Sequence, residues 1–174
     1  MARLNKKVTA LSVLTKMMQE CASDMTTVGI PIHAERVYEI TIRPIRGTRA
    51  LIFGGINAKD GLMYFSICIH NAIRKNLDNE YAMANIKNSI YHELLHTCDN
   101  CFSHNAKWMK WSRCCDKHLG TYTRLHMEED VYYDADAACI TYVCPTCGGE
   151  YRATKEHEAV HCCFCKADMN RLFD

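Results

Sequence analysis

Apolar residues recur at steps of three and four along residues 5–27, where Val8, Leu11, Leu14, Met18, Cys21 and Met25 fall on one face. That period predicts an amphipathic helix packed on a core, with Gly29-Ile30-Pro31 ending it. The pattern then changes. Residues 35–43 alternate imperfectly through Val37, Ile40 and Ile42 and stop at Pro44, which reads as a strand. Two further apolar runs, 49–53 and 62–69, flank Lys59-Asp60-Gly61, a hairpin signal. The helical period returns over 79–97, with Tyr81, Ala84, Ile90, Leu94 and Leu95 at mixed steps, Asp78 or Asn79 as the N-cap and Glu80 in the first turn. Another helix is expected over 105–118, with Trp108, Trp111 and Cys115 on related faces. A short strand is expected through Tyr122, Arg124 and His126, and another over Ala138–Val143. The fold class expected from this order is α+β: a helix, a three-stranded antiparallel sheet, then two more helices.

The candidate chemistry lies at the end of the 79–97 helix, in His92-Glu93-Leu94-Leu95-His96. Residues four apart on a helix stack one turn above the other, so both imidazoles can reach one ion, while Glu93 sits beside it free to accept a proton from water. With nine His and ten Glu in the chain, such a string arises by chance in roughly 3% of shuffled sequences, so its surroundings must decide. A tetrahedral catalytic zinc needs a third protein ligand and keeps one position open. The candidates after His96 are His104, His118, His126, Asp99 and the four nearest cysteines. His104 is preferred, because the seven intervening residues suffice to end the helix near Asp99-Asn100 and turn back; a surface histidine beside a loop is the competing reading.

Twelve cysteines in 174 residues change the picture again. Cys144-x-x-Cys147 and Cys162-x-x-Cys165, fourteen residues apart, have close to the spacing of a zinc ribbon, in which four thiolates close a structural site. Cys163 is an alternative to Cys162. A third pair, Cys98-x-x-Cys101, stands between two candidate ligands and reads first as loop packing, with a further metal site including Cys114, Cys115 or His118, or a redox pair, as alternatives. No apolar run approaches the ~20 residues that span a bilayer, and the N-terminus reads as no signal peptide, so a reducing, cytoplasmic setting is expected.

Together His92-Glu93-Leu94-Leu95-His96-Thr97, Cys98-x-x-Cys101, Ser103-His104 and Trp108 resemble the SprT-like zinc metalloproteases, over roughly residues 35–170. The resemblance implies a zincin-like domain over 1–125, an acidic linker over 126–137 and a zinc ribbon over 138–174, with one catalytic and one structural zinc. It implies peptide hydrolysis with a protein or peptide substrate, and allows DNA as a partner and a nucleoid-associated location, since relatives of this type cut proteins bound or crosslinked to DNA. Asn105 departs from the glycine usual after the third histidine, a position where an unusual backbone angle is expected. Tyr122 or Arg124 is a candidate donor for the oxyanion, against ordinary surface or sheet roles. The alternative is a non-enzymatic zinc module that docks nucleic acid or protein.

Charge is uneven although the net is +1: residues 1–125 hold seventeen basic against ten acidic residues, a difference of +7, and residues 126–143 hold five acids and no Lys or Arg. A basic front half suits a nucleic-acid surface and equally a solvated helix face.

Overall fold

A computed structural model describes residues 2–45, 48–123, 140–146, 150–153, 160–162 and 167–172. Helix α1 (Ala2–Thr27) is followed by a short 3-10 turn, Ala34–Arg36, and by strands β1 (Val37–Arg43), β2 (Ala50–Ile56) and β3 (Met63–His70). A second 3-10 turn, Asn71–Lys75, leads to helices α2 (Glu80–Leu95) and α3 (Ala106–Leu119). Strands β4 (Ile140–Val143), β5 (Glu150–Ala153) and β6 (Asn170–Leu172) come last. The fold is thus mixed α/β, and no helix among the described residues is long and apolar enough to cross a membrane.

The first sheet departs from the antiparallel arrangement expected. Its order is β1-β3-β2, with β2 antiparallel to β3 but β1 parallel to it. The β2–β3 hairpin forms in the predicted place, closing through Gly61 N–H to the Asn57 carbonyl at 2.8 Å with Gly61 at φ 70°. Strand β3 then inserts between its two predecessors, so β1 meets it on the far side and runs in the same direction. The cause lies in composition: the run Phe65-Ser66-Ile67-Cys68-Ile69-His70 is buried throughout, as a central strand covered on both faces must be, whereas β2 is mostly exposed and takes an edge.

Helix α1 packs on α2 and on β1. Leu14, Cys21 and Met25 of α1 share the core with Ala82, Ile86, Ile90 and Leu94 of α2 and with Ile67 and Ile69 of β3. The α2 stripe matches the expected one at Ile90, Leu94 and Leu95, which are buried, but Tyr81 and Ala84 face solvent and the interior line is extended through Ala82 and Ile86. Asn79 is the N-cap, its side chain accepting from Ala82 N–H at 3.0 Å. From Ser89 to Thr97 every residue is buried, so the end of this helix is driven into the interior with its polar side chains. A hydroxyl–carboxylate bond of 2.6 Å from Tyr91 to Asp24 ties α2 to α1 just before His92.

Strands β5-β4-β6 form a separate antiparallel sheet. Residues 160–162 pair with 167–169 through Met169 N–H to Val160 O at 2.9 Å and Cys162 N–H to Ala167 O at 2.8 Å. Of the strand expected over Ala138–Val143, Ile140–Val143 form β4, and residues 138–139 lie outside the described residues. Residues 121–123 form no strand, and the acidic linker, with the rest of that expected strand, lies outside the described residues.

Candidate metal centre

Helix α2 ends at Leu95, and His96 is its C-cap, so the first candidate ligand sits in the last turn and the second at the exit. Tight turns carry the chain on: Thr97 N–H bonds Leu94 O, Cys98 N–H bonds Leu95 O and Cys101 N–H bonds Cys98 O, at 3.0 to 3.2 Å. Asn100 takes the left-handed angle in this loop, φ 60°, which Asn tolerates well. Asn105 does not take an unusual angle. Its backbone is extended, φ −76° and ψ 179°, and it is the N-cap of α3, accepting from the N–H groups of Lys107 and Trp108 at 3.0 Å each. Its amide also donates to Asn100 O at 2.6 Å, closing the loop that presents His104.

The loop brings three imidazoles together. The Nε2 atoms of His92 and His96 are 3.4 Å apart and those of His92 and His104 are 3.0 Å apart. One ligand atom from each residue lies within 4.8 Å of the other two, which makes His92, His96 and His104 a group able to hold a metal ion. His92 Nδ1 lies 2.7 Å from the Thr123 carbonyl and His96 Nδ1 lies 2.8 Å from the Cys101 carbonyl. A carbonyl only accepts, so each Nδ1 carries the proton and each Nε2 presents its lone pair to the cluster, the outer-shell pattern that fixes a metal-binding histidine. Burial, joined by the nearby His104, pulls His96 down to about 4, against the Cys101 carbonyl, so its ring is neutral at pH 7 as a ligand must be.

Trp108 is the floor of the site. It is fully buried, and its ring centroid lies 4.9, 5.5 and 4.5 Å from those of His92, His96 and His104. Phe102, 49% exposed, lies beside His96 at 6.5 Å. A Cβ on Gly54 of β2 would meet the Phe102 ring at 2.9 Å, so any larger residue there would push this half-exposed aromatic side chain aside.

Glu93 is 6% exposed. Burial pushes its carboxyl up to about 8, while the Ile52 backbone N–H, donated from β2, works the other way. The consequence for a chelator-treated protein has a definite sign. A carboxyl raised from 4.5 in the unfolded chain to about 8 in the fold favours folding fully below pH 4.5, a contribution lost as pH rises through 8. His96, lowered from 6.5 to about 4, favours folding above pH 6.5 and loses that as pH falls through 4. The two offset each other between 4.5 and 6.5, and Glu93 alone acts above. Chelated wild type should therefore lose on the order of 2 kcal/mol between pH 6.5 and 8, and Glu93→Gln should not. Parallel melting curves for the two proteins across that range would contradict the assignment.

Of the other expected site residues, Tyr122 is described, 65% exposed, with its backbone N–H 3.3 Å from Asn88 Oδ1 and its neighbour Thr123 bonded to His92. Arg124 lies outside the described residues. Cys144 and Cys162 are buried at the ends of β4 and of the 160–162 segment, whereas Cys147 and Cys165 lie outside the described residues, and Cys163 with them. Cys98 and Cys101 are buried, as packing around the loop requires, and join no described group of three metal-binding side chains. Burial pushes the Cys98 thiol up to about 12 and raises Cys101 as well, so neither is an activated nucleophile. What the sequence did not reveal is that the Cys101 carbonyl, rather than its sulfur, serves the site. Compared with known families, curated proteins and solved structures, the chain matches no family model, no curated protein and no solved structure.

Proposed function

We propose that the chain is a zinc-dependent endopeptidase of the SprT-like, zincin-like type, acting on proteins associated with or crosslinked to DNA. The convergence of His92, His96 and His104 Nε2 atoms, with Glu93 next to the first of them on a buried helix end, supports this reading. His92, His96 and His104 would hold the ion. A zinc ion in such a site supplies Lewis acidity toward a carbonyl and toward water.

The residues supply the rest. Glu93 takes a proton from water as its oxygen forms a bond to the peptide carbon, and returns it to the amine nitrogen as the C–N bond breaks. The Thr123 and Cys101 carbonyls keep two imidazoles in one tautomer and orientation, so the ligand set needs no rearrangement. Buried Trp108 packs against all three rings. Tyr122 remains the candidate oxyanion donor among the described residues.

The DNA part of the proposal rests on α3. Lys107, Lys110, Arg113 and Lys117 are all exposed and spaced three to four apart on its outer side, and among the described residues no carboxylate forms an ion pair with them. A stripe of that kind suits backbone phosphates. The test is hydrolysis of an unfolded protein by zinc-loaded full-length chain, with chelator, with zinc restored and with DNA. Cleavage that stops and returns with zinc supports the peptidase; DNA acceleration lost in Lys110→Glu/Arg113→Glu, with basal cleavage kept, supports the partner. A zinc-loaded protein that cleaves nothing with or without DNA moves the non-enzymatic module ahead.

A further inference from the structure

We propose that Asp116 is a positioning residue for the metal centre, holding the segment 121–123 so that the Thr123 carbonyl fixes the orientation of His92. The inference rests on the reading that the three histidines bind metal, and goes beyond it.

The two carbonyls that hold His92 and His96 reach the site by different routes. Cys101 lies five residues after His96, in a turn already closed by its own N–H to Cys98 O. Thr123 lies 31 residues after His92 and beyond the end of α3, so something must hold it. Helix α3 stops at Leu119, and Gly120 in the left-handed region, φ 63° and ψ 30°, turns the chain back along the last helical turn. There a single oxygen, Asp116 Oδ1, accepts from Thr123 N–H at 2.8 Å, from Thr123 Oγ1 at 2.8 Å and from Thr121 Oγ1 at 2.9 Å. One turn earlier on the same helix, Ser112 Oγ lies 2.8 Å from Thr123 Oγ1. Ser112 and Thr123 are both fully buried.

The arrangement fixes the Thr123 peptide from its amide and its side chain, which leaves its carbonyl aimed at His92 Nδ1. Remove the clip, and His92 loses the acceptor that sets its tautomer and the aim of Nε2. Helix α3 thus contributes to both ends of the ligand set: Asn105 and Trp108 at its start beside His104, Asp116 near its end for His92. A purely structural role, in which Asp116 only closes the end of α3, would change stability without changing the metal's surroundings.

Zinc affinity by chelator competition, and the visible spectrum with cobalt in place of zinc, distinguish the two roles in the full-length chain, with His104→Ala giving the background from any other site. Asp116→Ala is expected to weaken the histidine site by about tenfold, in the range seen when outer-shell partners are removed, and to alter the cobalt bands. Asp116→Asn keeps an acceptor oxygen and should stay within about twofold of wild type. Should Asp116→Ala fail to fold, Thr123→Val decides: it keeps the carbonyl and the N–H bond, loses both hydroxyl contacts, and is expected to weaken zinc by a few fold with shifted cobalt bands. Wild-type affinity and spectrum in folded Asp116→Ala, or in Thr123→Val if that variant must decide, overturn the proposal, as does Asp116→Asn behaving like Asp116→Ala. A wild type whose zinc content equals that of His104→Ala instead overturns the metal reading on which it rests.

Discussion

Glu93→Gln should abolish peptide hydrolysis, by roughly 10² to 10⁴ in kcat, while leaving zinc content and fold intact. The amide is nearly the same size as the carboxyl and still offers an oxygen to the Ile52 N–H that now bonds Glu93. It cannot take a proton from water. The burial that raises the Glu93 carboxyl also means that a glutamine side chain enters the interior without the desolvation cost of a charge, so the variant should fold at least as well at pH 8. Loss of turnover with full zinc and an unchanged or higher melting point is the expected combination, measured on one preparation. Retained turnover would remove Glu93 from the chemistry, and lost zinc would mean that the substitution disturbs the ligands rather than the proton transfer.

The second large effect is expected at Trp108. Its side chain is fully buried and sits against all three imidazoles, so Trp108→Ala opens a cavity directly beneath the ligand set. Such truncations cost about 3 to 5 kcal/mol, and here part of the cost should appear as weaker metal binding, because the rings lose the surface that orients them. Trp108→Phe is the informative control. The indole N–H is buried with no hydrogen-bond partner among the described residues, so replacing it removes a polar group that none of them satisfies. A modest loss of stability with near-normal zinc affinity is expected for Phe, and a large loss of both for Ala, read by chemical denaturation and chelator competition. Equal zinc affinity in Trp108→Ala and wild type would make Trp108 a core residue and nothing more.

The legible parts of this protein are those set by local period and spacing. The four-residue step between His92 and His96 needs only a helix, and seven residues to His104 need only a turn, so the histidine cluster follows from the chain's order. The hairpin between β2 and β3 is legible for the same reason, since Asp60-Gly61 marks it locally. What is not legible is non-local. No short-range signal says that β3 inserts between β1 and β2; that follows from which strand is apolar on both faces, a property realised only when α1 and α2 cover the sheet. The Asp116 clip escapes a sequence reading because a lone aspartate in a basic helix looks like one more surface charge, and its partners are a backbone N–H and two threonine hydroxyls with no pattern of their own. At position 105 the chain needs a helix cap rather than an unusual backbone angle, and Asn100, five residues earlier, takes the angle instead. The Thr123 and Cys101 carbonyls leave no trace in side-chain identity at all.

The most direct test is the zinc content of the purified full-length chain and of His104→Ala. With a histidine site and a cysteine ribbon, about two ions per wild-type chain and about one per variant chain are expected, the missing ion being the one that supports hydrolysis. Equal zinc in the two proteins would contradict the account, because His104 would then stand beside His92 and His96 without helping to hold a metal.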